Sequence, residues 1–179
     1  MKLIPNMKVP ALELELLHGQ PWSTEKNSNH YTLLIVYRGY HCPLCRSYLQ
    51  DFQELQTQFN DLGVELIAVS ADSRERAKRS RDEWAVEKLA IGYGLTEEDM
   101  RRWNLFASQA IKDGEPDLFA EPALFLIRSD STLFYASYSS MPFARPRPED
   151  VLEMIRFVEK NGYPARGEVR APVLAPGPR

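Results

Sequence analysis

The apolar residues of this chain fall into runs of two different periods. Tyr31-Thr32-Leu33-Leu34-Ile35-Val36-Tyr37 is continuous rather than alternating, and β-branched and aliphatic residues dominate it. Such a run suits a strand buried on both faces, so a central strand is expected here. After a short loop, Arg38-Gly39-Tyr40-His41, the period lengthens: Leu49, Phe52, Leu55 and Phe59 recur at spacings of three and four between Cys42 and Asn60. That is one apolar face of a helix. Pro43 suits its first position, where a missing N–H costs nothing, which places Cys42 at or near the N-cap. Gly63 then precedes a second strand-like run, Val64 to Ser70. Strand, helix and strand in this order, joined by a crossover, predict parallel pairing in a right-handed βαβ unit.

Weaker signals flank this unit. Val9 to Ser23 alternates around a Gly19-Gln20-Pro21 turn and predicts an amino-terminal hairpin. Ser73 to Lys88 reads as a helix capped by Asp72 or Ser73, burying Ala77, Ser80 and Trp84; its many arginines are interrupted by Glu75, Asp82 and Glu83, as on a solvated face. Thr96-Glu97-Glu98-Asp99 is a capping-box pattern opening a short helix through Trp103. Ala107 to Glu121 reads as irregular, and Ala123–Ile127 with Thr132–Tyr138 as a second hairpin. A stiff segment, Met141-Pro142-Phe143-Ala144-Arg145-Pro146-Arg147-Pro148, leads to a last helix with Val151, Leu152, Ile155 and Val158 on its apolar stripe. One domain over residues 1–163 is expected, followed by a proline-rich tail, 164–179, that docks weakly or stays mobile.

Composition narrows the classes. At 179 residues, with 44% hydrophobic and 26% charged side chains, the chain is long enough to bury a core without disulfide or metal staples. The 22 basic and 25 acidic residues leave a net charge of −3, which argues against nucleic acid or a membrane surface as a general partner. No apolar run approaches the ~20 residues needed to span a bilayer, and the first residues lack a signal-peptide core. A cytoplasmic location is expected. In a reducing compartment, two cysteines three apart point to catalysis, redox sensing or metal rather than to a structural disulfide.

Cys42 and Cys45 are the only cysteines. A cysteine at a helix N-cap faces unsatisfied N–H groups and the positive end of the helix dipole, which favour its thiolate, the reactive form. Cys45, one turn on, reaches back to that sulfur from deeper in the helix. The pair therefore divides into an attacking and a resolving thiol. His41 is either a cation that tunes Cys42 or an exposed loop histidine, and Arg38 and Arg46 are read as solvated or paired surface charges. Zinc is the chemical rival. A structural site wants four Cys or His ligands, and only His18, His30 and His41 are present to complete one.

The strand Tyr31–Tyr37, the Cys42-Pro43-Leu44-Cys45 helix start, and Glu121-Pro122-Ala123-Leu124-Phe125-Leu126-Ile127 before a hairpin and final helix resemble the thioredoxin superfamily. More narrowly, the order is similar to the peroxiredoxin-like branch of the alkyl hydroperoxide reductase and thiol-specific antioxidant (AhpC/TSA) group. The resemblance implies an α/β thioredoxin-like fold: a central mixed β-sheet flanked by helices, with the amino-terminal β-hairpin as an extension. It implies that Pro122 matches the cis-proline facing the active-site cysteines, and it calls for no cofactor. Its partners would be disulfide-bearing proteins or small thiols, or hydroperoxides, with a cellular thiol reductant and a possible homodimer.

The departures from that family are specific. Peroxiredoxins carry a proline seven residues and a Thr or Ser three residues before the peroxidatic cysteine, with an arginine from a later strand. Here those positions hold Ile35, Gly39 and Pro122. Unless Arg38 or Arg145 substitutes from a loop, groups that orient a peroxide and stabilise its leaving oxygen are missing. Thiol–disulfide exchange is therefore the leading expectation, peroxide reduction through a Cys42 sulfenic acid the alternative, and a redox sensor or zinc module the third. Thioredoxins also carry a buried acid for the resolving thiol's proton, and Glu121 is the candidate replacement.

Overall fold

A computed structural model describes residues 3–25 and 29–169. In chain order the elements are β1 (Glu13–Leu14), β2 (Trp22–Ser23), β3 (Tyr31–Val36), α1 (Pro43–Glu54), α2 (Gln56–Asp61), β4 (Val64–Val69) and α3 (Arg74–Glu83). Then follow β5 (Ala90–Gly92), α4 (Glu97–Arg102), β6 (Ala107–Gln109), β7 (Leu118–Ala120), β8 (Ala123–Arg128), β9 (Leu133–Tyr138) and α5 (Pro148–Asn161). The main sheet has the order β5-β4-β3-β8-β9. β3 lies at its centre, parallel to β4 and antiparallel to β8, so the sheet is mixed.

The period-two geometry of a strand sends alternate side chains to opposite faces. Leu33 and Ile35 of β3, Leu66 and Ala68 of β4, and Leu124 and Leu126 of β8 face one core with Leu49, Phe52, Phe59, Trp84, Val151, Leu152 and Ile155. Their neighbours Leu34, Val36, Ile67, Val69, Phe125 and Ile127 face the other, covered by Leu12, Leu14 and Trp22 of the amino-terminal hairpin and by Met100 and Trp103. All six residues of β3 are buried, as a strand sandwiched between two layers must be. This is the mixed, helix-flanked thioredoxin-like sheet, with the hairpin β1–β2 as its extension.

Several boundaries differ from expectation. The long helix predicted over 42–60 divides at Leu55, which caps both pieces at φ −92° and ψ 0° with its N–H turned to the Gln53 carbonyl and is only half-buried, while Phe59 stays in the core. The helix beginning at Ser73 stops at Glu83 rather than Lys88, because Trp84 is drawn into the core and Ala85 takes φ 54°. The segment 107–121, read as irregular, holds a short antiparallel ladder, β6–β7, too brief to leave a periodic signal. β5, likewise, has only three residues. Ala165 packs into the core, so the tail begins docked; residues 170–179, where a mobile tail is expected, lie outside the described residues. No helix among those described is long and apolar enough to cross a membrane.

Candidate active site

The parallel pairing of β3 with β4 brings the loop after each strand to the same edge of the sheet, and the reactive pair sits there. Cys42 is the N-cap of α1, with extended backbone (φ −102°, ψ 100°) and Pro43 at the first helical position. Its Sγ accepts a hydrogen bond from the Cys45 N–H at 3.3 Å. Both cysteines are free thiols, and both are buried, Cys42 at 1% exposure and Cys45 at 0%.

The two thiols titrate in opposite directions. Cys42 is lowered to about 6, chiefly by the hydrogen bond from the Cys45 thiol, then by the Cys45 backbone N–H and by the charge and hydrogen bonding of Arg38; burial works against this. Cys45 is raised, first by donating that same hydrogen bond, then by burial and by the negative charge on Cys42. At pH 7 a group ionising near 6 is about nine-tenths thiolate. In the resting pair the charge therefore favours Cys42 and the proton Cys45.

Arg38 is not the surface charge that the sequence led one to expect. Its side chain is 16% exposed; its Nε lies 3.3 Å from Oε2 of Glu121, and Nη2 lies 4.0 Å from Oε1 of Glu115. The close pair is a charge contact without hydrogen-bond geometry, since neither Nε nor Oε2 has a hydrogen-bond partner. The Phe119 ring packs against the guanidinium at 4.7 Å. Glu121 itself is 4% exposed and accepts a 2.6 Å hydrogen bond from Ser108 Oγ. Its carboxylate's described contacts are with Arg38 and Ser108, which makes it, with Glu115, a counter-charge of Arg38.

Gly39 takes φ +124°, and a Cβ there would stand 2.8–3.0 Å from the Asp72 carboxylate. The position where a peroxiredoxin has a hydroxyl is therefore closed to any side chain. Asp72, buried at 1%, accepts hydrogen bonds from the Tyr40 N–H (2.7 Å) and Arg76 Nε (2.8 Å) and so pins the loop that precedes Cys42. Sequence reasoning treated Asp72 as a helix-cap candidate, whereas Ser73 is the cap. The available signal was its place directly after β4, at the edge of the sheet that β3 shares.

The proline-rich segment also reaches the pair. Arg145 places Nη1 3.9 Å from Cys45 Sγ, donates from Nη2 to the Leu44 carbonyl at 2.8 Å, and lies over the Tyr48 ring at 3.9 Å. Tyr48 Oη donates to the Pro146 carbonyl at 2.7 Å. Pro122 joins Tyr48, Arg145 and Pro146 around a shallow cavity. The expectation of a cis-proline is corrected: no peptide bond among the described residues is cis. Pro122 enters β8 straight from the β6–β7 ladder, held by the Glu121 N–H on the Phe106 carbonyl and by its own carbonyl on the Ser139 N–H.

His41 is neither a tuning cation nor an exposed loop residue. Its ring nitrogens are buried without hydrogen-bond partners, it packs edge-on to Phe119, and burial and then the Arg38 charge lower its pKa, so it is neutral at pH 7. The other two histidines lie elsewhere, His18 on Arg81 and His30 on Glu159. No group of three or more His, Cys, Asp or Glu among the described residues is placed to hold a metal ion.

A mixed sheet with a Cys-Pro-x-Cys helix start at the edge of its central strand defines a thioredoxin-like dithiol protein. The family model described as the AhpC/TSA family matches residues 5–136, and the chain belongs to that family. It is a thiol-dependent oxidoreductase of the antioxidant class. Among solved structures it is similar to peroxidoxin BcpB from Mycobacterium tuberculosis (15% identity, TM-score 0.70, covering 87% of this chain and 98% of that one). It is also similar to Enterococcus faecalis AhpC (21%, 0.72, 91% and 98%) and to a peroxiredoxin-like protein from Aquifex aeolicus (15%, 0.72, 88% and 89%). No curated protein matches the sequence closely enough to count as a relative.

Proposed function

We propose that this chain reduces a small hydroperoxide through Cys42, with Cys45 closing the intramolecular disulfide. The observation that carries this reading is a sulfur held largely as thiolate, beside the Arg38 guanidinium, at only 1% exposure. Attack on a disulfide needs three sulfurs nearly in line, for which the reduced pair leaves a bulky protein substrate little room. A small peroxide demands far less room.

The Cys42 thiolate attacks the terminal peroxide oxygen, the O–O bond breaks, and the alkoxide leaves and takes a proton to become an alcohol. Cys42 is then a sulfenic acid. Cys45 sulfur next attacks Cys42 sulfur, the S–O bond breaks, and hydroxide departs as water after taking a proton. Two electrons have moved from the dithiol to the peroxide. A cellular thiol reductant restores the pair by thiol–disulfide exchange. Residues 1–163 form the catalytic unit, working in the cytoplasm on the substrate classes that the family resemblance implies.

A second reading, with a disulfide as the oxidant, is favoured by Gly39: the hydroxyl donor is absent, and the Asp72 carboxylate fills its place. The two separate in one experiment. Cys45→Ser, mixed with hydroperoxide under stopped flow, is expected to form sulfenic acid at a rate well above that of a free cysteine. In the wild type, peroxide consumption should be half-maximal near pH 6, since protonation as the pH falls through about 6 removes the reactive form. A rate no better than free cysteine, together with a stable mixed disulfide trapped on Cys45→Ser, assigns the protein to exchange instead.

A further inference from the structure

Before reaction, Cys45 is poorly prepared to attack anything. It donates its proton towards Cys42 and faces that residue's negative charge. Both causes disappear when Cys42 is oxidised, because a sulfenic acid is uncharged. Burial still opposes the charge, and what offsets it at Cys45 Sγ is the Arg145 guanidinium at 3.9 Å and the backbone N–H of Arg38. Tyr37 and Tyr48, the other titratable groups facing it, are both phenols held protonated by burial, so neither brings an opposing charge.

Arg145 is also built into place. One arm of its guanidinium is anchored on the Leu44 carbonyl, its face rests on Tyr48, and Tyr48 in turn ties down Pro146. Three prolines, Pro142, Pro146 and Pro148, stiffen the segment that carries it. Unlike Arg38, it forms no ion pair with a carboxylate among the described residues; its contacts are a carbonyl, an aromatic face and the Cys45 sulfur. Its charge is unspent.

We propose that Arg145 is the catalytic residue of the second step, stabilising the thiolate form of Cys45 once Cys42 has been oxidised, so that the resolver stays silent until its partner has reacted. This rests on the dithiol reading above. In the step itself the Cys45 thiolate donates the electron pair that forms the S–S bond, Cys42 loses its oxygen as hydroxide, and a solvent proton completes the water. Arg145 transfers nothing. Its positive charge offsets the negative charge gathered on Cys45 before attack.

Two measurements test this. In Cys42→Ser, which removes the partner's charge, thiolate absorbance titrates Cys45 alone; adding Arg145→Gln should raise its midpoint by about one pH unit, the size expected for an opposite charge at this distance. Arg145→Lys should restore most of the shift. With Cys42 intact, rapid-quench alkylation and mass measurement follow sulfenic acid and disulfide separately. Arg145→Gln should slow closure about threefold at pH 7: thiolate falls tenfold, but a more basic thiolate attacks faster. An unchanged titration overturns the proposal, whether closure keeps its rate or slows, since slowing alone would mean that Arg145 merely holds the segment. A wild type that accumulates sulfenic acid and never forms the Cys42–Cys45 disulfide overturns the dithiol reading itself, and the proposal with it.

Discussion

Two arginines lie beside the two sulfurs, Arg38 acting on Cys42 and Arg145 reaching Cys45, and their surroundings differ. Arg38 follows the central strand directly, is 16% exposed, and is flanked by two carboxylates and an aromatic ring. Arg145 lies far along the chain on a proline-rich connection, partly exposed and without an acidic partner among the described residues. A cation buried beside Glu121 is as much a part of the fold as of the chemistry, because removing either member strands the other's charge. A cation held by a carbonyl and a ring can act on its sulfur while contributing little to stability. Stability and function should therefore separate along this axis, with changes near Cys42 affecting both and changes near Cys45 affecting mainly rate.

The largest effect is expected at Arg38. Arg38→Met leaves the Glu121 carboxylate buried without its counter-charge, at a cost of about 3 kcal/mol, the low end for a broken buried pair because Ser108 still donates to it. Cys42 should also titrate about one unit higher. Denaturant unfolding and thiolate absorbance would show both, and a variant as stable as wild type would break the contrast drawn between the two arginines. Next comes Gly39→Thr, which restores the family's hydroxyl by name but not in space. Its side chain meets the Asp72 carboxylate at a φ that L-residues avoid, so a loss of about 2–3 kcal/mol and no gain in peroxide rate are expected. A stable, faster variant would show that Asp72 yields. The smallest change is at Tyr48→Phe, which removes the hydrogen bond to Pro146 and should cost about 1 kcal/mol in unfolding experiments. Closure of the disulfide should slow less than in Arg145→Gln, since the cation remains; an equal or larger slowing would show that anchoring, not charge, sets the rate.

Much of this site was legible in the chain. A continuous apolar run, a loop and a proline one residue past a cysteine are local signals, and the physics behind them is local too: strand burial, fixed proline φ and unsatisfied N–H groups at a helix start. The unequal positions of Cys42, at the helix N-cap, and Cys45, inside the first turn, followed from that alone. The small ladder β6–β7 and strand β5 were not legible, because three residues are too few for a period to emerge against background. The environment of each charge was no better marked. Arg38 looked like a surface residue, since nothing nearby in sequence announces that Phe119 and Glu121 will close over it.

By itself, then, the sequence determined the central buried strand, the helix start and which of its two cysteines caps that helix, since each depends on neighbours within one helical turn or one strand. Only the tertiary structure decided which cation reaches which sulfur, that Gly39 abuts Asp72, and that both thiols are sealed from solvent. Those facts depend on contacts between residues 32 to 100 positions apart, such as Tyr40 with Asp72 and Arg145 with Cys45. Charge interactions of this kind depend on distance and burial, and neither is set until the layers have packed.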